Sequence, residues 1–77
     1  MVGRGVRIDE GAYIENSVLM EGSEIGKNVR IEGSIVGERV KVEERSQILE
    51  LTIINHEETV ERGSHLRSTI YQDRINR

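Results

Sequence analysis

Residues 8–37 read I-D-E-G-A-Y-I-E-N-S-V-L-M-E-G-S-E-I-G-K-N-V-R-I-E-G-S-I-V-G, and this stretch decides the fold. Ile8 returns as Ile25, Ile14 as Ile31 and Val18 as Ile35, each after 17 residues. Followed further, the first column continues to Val42 and Val60, the second to Ile48 and Leu66, and the third to Thr52 and Ile70, with steps of 17 and then 18 residues. Columns that share one period mark a repeat. Each repeat must stack on its neighbours to bury an apolar face that it cannot bury alone.

Within a period the anchors fall about six residues apart, as Ile8–Ile14–Met20, Ile25–Ile31–Gly37, Val42–Ile48–Ile54 and Val60–Leu66–Gln72. Between the rows stand Gly11, Gly22, Gly33 and Gly63, where a tight turn needs a positive φ or close backbone approach. A helix would place apolar residues at i, i+3, i+4 and i+7. Here A-Y-I-E, V-R-I-E and V-K-V-E alternate in and out, as half-buried strands do, and β-branched residues hold the inward places.

A three-sided coil follows. Side A takes residues 6–9, 23–26, 40–43 and 58–61; side B takes 12–15, 29–32, 46–49 and 64–67; side C takes 18–21, 35–38, 52–55 and 70–73. The first and third residues of each set are expected to point inward. Coils stack about 4.8 Å apart, the strand-pairing distance. The extra residue of the longer coil is placed in the turn Asn55-His56-Glu57-Glu58. This register aims Glu58 at the core beneath Ser23 and Val40, a costly position for a carboxylate unless the turn bulges and releases it.

The chain has 77 residues, no Cys, Trp, Phe or Pro, and two aromatics, Tyr13 and Tyr71. That is one domain, residues 1–77, with thin aliphatic layers in place of an aromatic core. Lacking Cys, it has neither disulfides nor thiolate zinc sites. Its formal charge of −3 comes from interspersed signs with no basic run, which argues against nucleic-acid binding. No stretch has the length to span a bilayer and no signal peptide is visible, so the cytoplasm is the expected location. Repeats fill residues 2–71. The polar tail 72–77, with Gln72 in place of an aliphatic anchor, is expected to cap the C-terminal end. Val2 and Val6 instead continue the pattern upstream, leaving the N-terminal end to be covered by another domain or molecule.

The passage 8–37 resembles the hexapeptide-repeat, left-handed β-helix family, and is most similar to the C-terminal β-helix of sugar-phosphate nucleotidyltransferases of the ADP-glucose, dTDP-glucose and GDP-mannose pyrophosphorylase type. The resemblance implies an all-β, single-stranded left-handed parallel β-helix of about four triangular coils. The left hand is implied by the resemblance alone, since parallel crossovers are otherwise right-handed. It further implies a structural and oligomerisation module of a transferase. That family's chemistry belongs to an N-terminal α/β domain with a Gly-rich phosphate loop, which nothing in these residues matches, so no catalytic residue and no cofactor carries over.

In the expected register Leu19, Val36, Ile53 and Tyr71 form an outward apolar stripe on side C, extended by Leu51 in the adjoining turn and by Leu49. Such a patch marks an interface, here for a second copy or for the catalytic domain. On side A, Arg7, Glu24 and Lys41 stack with alternating sign, which suits register and stability. His56 is the candidate general base of a rival reading, a minimal hexapeptide acyltransferase, with Glu57 and Glu58 to orient it. His65 is assigned to the outward face of side B. A third reading is a sugar-phosphate or anion-binding module using Arg30, Arg67 and His65. No metal site is expected, because two His on different faces cannot share an ion without further ligands.

Overall fold

The computed structural model describes residues 1–71. Its strands form three four-stranded parallel sheets. Side A consists of β1 (Arg7–Ile8), β4 (Glu24–Ile25), β7 (Lys41–Val42) and β10 (Thr59–Val60). Side B consists of β2 (Tyr13–Glu15), β5 (Arg30–Glu32), β8 (Gln47–Leu49) and β11 (His65–Arg67). Side C consists of β3 (Val18–Leu19), β6 (Ile35–Val36), β9 (Ile53–Ile54) and β12 (Ile70–Tyr71). Neighbours in every sheet lie one coil apart in sequence, so the chain is an all-β parallel solenoid of about four turns, with no helix among the described residues.

Sides A and B have the expected register. Ile8 pairs with Ile25 and Ile25 with Val42, while Val60 lies over Val42. On side B, Ile14, Ile31, Ile48 and Leu66 stack one over another. The inward residues make a dry interior in which Ile25, Val29, Ile31, Val40, Val42, Ile48 and Val60 are at most 2% exposed. Each such side chain contributes about 1.5–3 kcal/mol of transfer free energy.

Side C is turned over relative to the sequence reading. Leu19, Val36 and Ile54 are at most 1% exposed, and Tyr71 packs against the same core, whereas Ile35, Ile53 and Ile70 are 39%, 43% and 67% exposed. The column of Val18 and Ile35 runs on through Ile53, not Thr52, to Ile70. The shift from Thr52 to Ile53 reflects the position of the extra residue. The steps along the inward column Leu19, Val36, Ile54 and Tyr71 are 17, 18 and 17, while side B steps 17, 17 and 18. The insertion therefore lies between Ile48 and Ile54, in Glu50-Leu51, and not in the turn 55–58. That turn has its regular length, and Glu58 occupies the column of Ser23 and Val40 at the C-terminal end, half-buried. No buried side-chain N or O among the described residues lacks a partner, so the Glu58 carboxylate keeps its water.

Two column systems hold the corners. Each corner of the triangle carries one residue per coil in the left-handed region: Gly5, Gly22, Arg39 and Glu57 at φ 70°, 74°, 53° and 60°; Gly11, Asn28, Arg45 and Gly63 at 81°, 56°, 60° and 72°; and Asn16, Gly33, Leu51 and Ser68 at 49°, 56°, 66° and 51°. Their N–H groups donate to the coil below, as in Arg39 N–H to the Glu21 carbonyl at 2.9 Å and Arg45 N–H to the Lys27 carbonyl at 2.9 Å. Beside the third corner, Ser17, Ser34, Thr52 and Thr69 each turn a hydroxyl back to the carbonyl of Glu15, Glu32, Leu49 and Arg67, at 2.7–2.9 Å. This hydroxyl column satisfies backbone acceptors that the turn would otherwise strand.

The two ends differ. Val2 bridges Leu19 as a further rung of side C, continuing the repeat upstream. Val2 and Ile8 are 55% and 46% exposed there, whereas Val60, the counterpart of Ile8 on the last rung, is 0% exposed. The expected cap 72–77, including Gln72, lies outside the described residues.

Candidate functional site

The most distinctive surface is the outer face of side C. Each of its strands carries two successive apolar residues, Val18-Leu19, Ile35-Val36, Ile53-Ile54 and Ile70-Tyr71. One of each pair must face inward, so the other faces out, and an aliphatic column results in either register. The column is Val18, Ile35, Ile53 and Ile70, flanked by Leu51 at 72% exposure. Of the expected stripe, Ile53 and Leu51 are on the surface, while Leu19 and Val36 are core and Tyr71 points inward. Val18, Ile35 and Ile70 were missed. The signal that locates them is the hydroxyl column, which aligns Thr52 with Ser17 and Ser34 one position earlier than the aliphatic column.

The other faces are polar. Outward on side A stand Arg7, Glu24, Lys41 and Thr59, in the expected order. Among the described residues no ion pair within 4.0 Å joins them. Of these, Arg7, Glu24 and Lys41 border, with Lys27, Glu43 and Arg62, a shallow groove of about 680 Å³ whose opposing signs leave little net field. Outward on side B, the Arg30 guanidinium lies 4.8 Å from the centre of the Tyr13 ring and pairs with Glu32, while Tyr13 Oη donates to Glu15 Oε1 at 2.9 Å. That bond and the Glu15 charge raise the Tyr13 pKa above its ordinary value. Arg30 is therefore engaged on the first two coils, while His65 and Arg67 project from the last.

His56 is held in an unexpected way. Its ring Nδ1 accepts the Glu38 backbone N–H at 2.8 Å, and the His56 backbone N–H donates to Asn55 Oδ1 at 3.0 Å. An Nδ1 that accepts carries no hydrogen, so the proton resides on Nε2 and the ring's one lone pair is spent on the backbone. A general base needs the opposite arrangement, with that lone pair free for the substrate. Glu57 faces away to Arg39, with Oε2 2.6 Å from Nη2 and 3.1 Å from Nε. This pairing raises the Arg39 pKa further. Gly37 makes room for the ring: a Cβ there would lie 2.8 Å from His56 Nδ1 and 2.9 Å from the Ile54 carbonyl oxygen. Among the described residues, no group of three or more His, Asp or Glu side chains converges on a point that could hold a metal ion.

Among the described residues, the outer column of side C is the one carrying an aliphatic residue and no charge on every rung. A family model described as GMPPB C-terminal domain matches residues 1–73. No curated protein and no solved structure matches the chain.

Proposed function

The chain belongs to the GMPPB C-terminal domain family, the solenoid domain of a GDP-mannose pyrophosphorylase-like sugar-phosphate nucleotidyltransferase, and on that premise we propose that it is an assembly module that docks through side C onto a nucleotidyl-transfer domain. The observation that carries this reading is the outer column of side C, where Val18, Ile35, Ile53 and Ile70 give each rung an aliphatic residue and no charge. In a chain with 32% charged residues, sides A and B spend theirs on every outward column. A continuous apolar strip of this kind gains free energy only when covered.

The compartment proposed is the cytoplasm. A Cys-free chain has no use for an oxidising one, and among the described residues no helix is long and apolar enough to cross a membrane.

The test is calorimetric titration of the chain with a GDP-mannose-pyrophosphorylase-type nucleotidyl-transfer domain supplied without its own solenoid. Binding is expected for the native chain and is lost in the double variant Ile35→Lys/Ile53→Lys, which keeps its β-type circular dichroism because both side chains point outward. Absence of binding by the native chain, or equal binding by the variant, overturns the proposal.

A further inference from the structure

The aliphatic column of side C runs through an uncharged face. Beside Val18, Ile35 and Ile53 the next outward place of each rung holds Met20, Gly37 and Asn55. The charges stand at the two margins of that face. Toward side B the margin carries Glu15, Glu32, Glu50 and Arg67; toward side A it carries Arg4, Glu21, Glu38, Arg39 and Glu57. Carboxylates there outnumber guanidinium groups six to three. The third margin, between sides A and B, holds Glu10, Lys27, Glu44, Arg45 and Arg62 and leans the other way. Part of the acid beside side C is already met within the chain: Glu32 pairs with Arg30, and Glu38 and Glu57 pair with Arg39. Glu21 and Glu50, one on each margin, are exposed and have no ion-pair partner within 4.0 Å among the described residues. Glu50 lies on Gly33, where an added Cβ would come 3.2 Å from its own Cβ, and so stands beside the rung of Ile35.

From this we infer that the partner face seated on side C is basic, an aliphatic ridge bordered on both sides by Lys or Arg. The inference rests on the docking reading above and adds to it the chemistry of the partner. An uncharged strip between two acidic rows has the anatomy of an interface with an apolar centre and a charged rim. Rim charges act chiefly on encounter and choice of partner: they draw in a face of opposite sign and turn away one of like sign. A neutral or acidic face would crowd Glu21 and Glu50 against apolar surface with nothing to offset their lost water. Because acid stands on both margins, a basic partner is also held centred over the strip.

The test is calorimetric titration of the chain with the nucleotidyl-transfer domain at low and high salt, with variants at the margins. Raising NaCl from about 0.05 to about 0.5 M is expected to weaken native binding about tenfold. At low salt Glu21→Lys/Glu50→Lys weakens it about tenfold or more and flattens the salt dependence, and Glu21→Gln/Glu50→Gln, which only neutralises, falls between. Glu10→Lys/Glu44→Lys makes the same change of net charge on the far margin and binds as the native chain does. Circular dichroism checks that each variant keeps its β-type spectrum, and the native salt dependence decides the matter by itself if the Lys variant does not. Native binding that ignores salt or strengthens with it, margin variants that bind as tightly as the native chain, or an equal loss in Glu10→Lys/Glu44→Lys overturns the inference and leaves the docking reading standing. Absence of binding by the native chain at either salt concentration overturns both.

Discussion

The Tyr71 hydroxyl donates to the Thr59 carbonyl across 3.3 Å, tying side C to side A over the last rung of the solenoid. Every other inward place of side C is filled by an aliphatic residue of one rung, which cannot span the triangle. Tyr71 can, and its ring packs against the aliphatic core at that rung. Tyr71→Ala is expected to cost about 2–3 kcal/mol in urea unfolding, below the range for a fully buried aromatic because the ring is only half-buried. Tyr71→Phe keeps the cover and loses one exposed hydrogen bond, about 0.5–1 kcal/mol. Equal losses for the two would mean that the bond, and not the ring, closes the end.

The hydroxyl column gives a sharper contrast. Ser17 Oγ donates to the Glu15 carbonyl at 2.9 Å and accepts the Ser34 N–H at 3.1 Å. Ser17→Ala thus strands a buried backbone donor, at about 2 kcal/mol. Thr52 Oγ1 makes its bond to the Leu49 carbonyl at 2.7 Å. Thr52→Val keeps the shape and loses that bond, about 1 kcal/mol. The order of the two denaturation midpoints checks the assignment.

The solenoid, its period and two of its three sides were legible because the Ile and Val columns of sides A and B alternate with charged residues, and alternation fixes which face is in. Side C gives no such contrast. In Val18-Leu19, Ile35-Val36 and Ile53-Ile54 either residue satisfies the core, so a one-residue error reverses the face without breaking the pattern. The alignment of Thr52 with Val18 and Ile35 entered at Leu51, which reads as one more aliphatic residue but is the left-handed corner residue at φ 66°. Gly33 and Asn16 at the same corner announce a turn; Leu51 does not. The apolar strip survived the error because both candidates for its place are apolar. The end-to-end asymmetry was legible only in part, since the span of Tyr71 depends on where its side chain points.

Leu51 is therefore a place where the chain can be improved. An L-residue in the left-handed region costs about 1–2 kcal/mol, and this one also leaves a side chain 72% exposed. Leu51→Gly relieves both, and the greater freedom of glycine in the unfolded chain offsets part of the gain. A net stabilisation of about 0.5–1 kcal/mol is expected, read as a rise in the thermal midpoint. A fall would mean that Leu51 packs on the side C column strongly enough to outweigh its backbone strain.

Gly37 is the reverse case. A methyl group there meets the His56 ring and two backbone atoms of the next coil at 2.8–2.9 Å. The backbone cannot yield without separating two coils, so Gly37→Ala is expected to cost about 2–3 kcal/mol. At Gly63 a Cβ meets nothing within 4 Å, and only its φ of 72° opposes a side chain, so Gly63→Ala should cost about 1–2 kcal/mol. Chemical denaturation that ranks Gly63→Ala as the worse variant would contradict the close approach of the coils at Gly37.

Tyr13 supplies a prediction in pH. Its hydroxyl donates to Glu15 Oε1, and ionising it would both lose that bond and set a phenolate beside two carboxylates, Glu15 and Glu32. These raise its pKa from the ordinary 10.0, against a smaller opposing pull from Arg30. A raised folded pKa means that the contact stabilises the fold fully below the ordinary tyrosine value and is lost as pH rises through the folded one. Ultraviolet titration of phenolate should therefore show one of the two tyrosines ionising late, with Tyr13→Phe identifying it. Glu15→Gln should bring that titration back toward 10.0, and Arg30→Gln should move it higher still. A Tyr13 titration unmoved by Glu15→Gln would show that the hydroxyl faces water and that the side B cluster does not hold in solution.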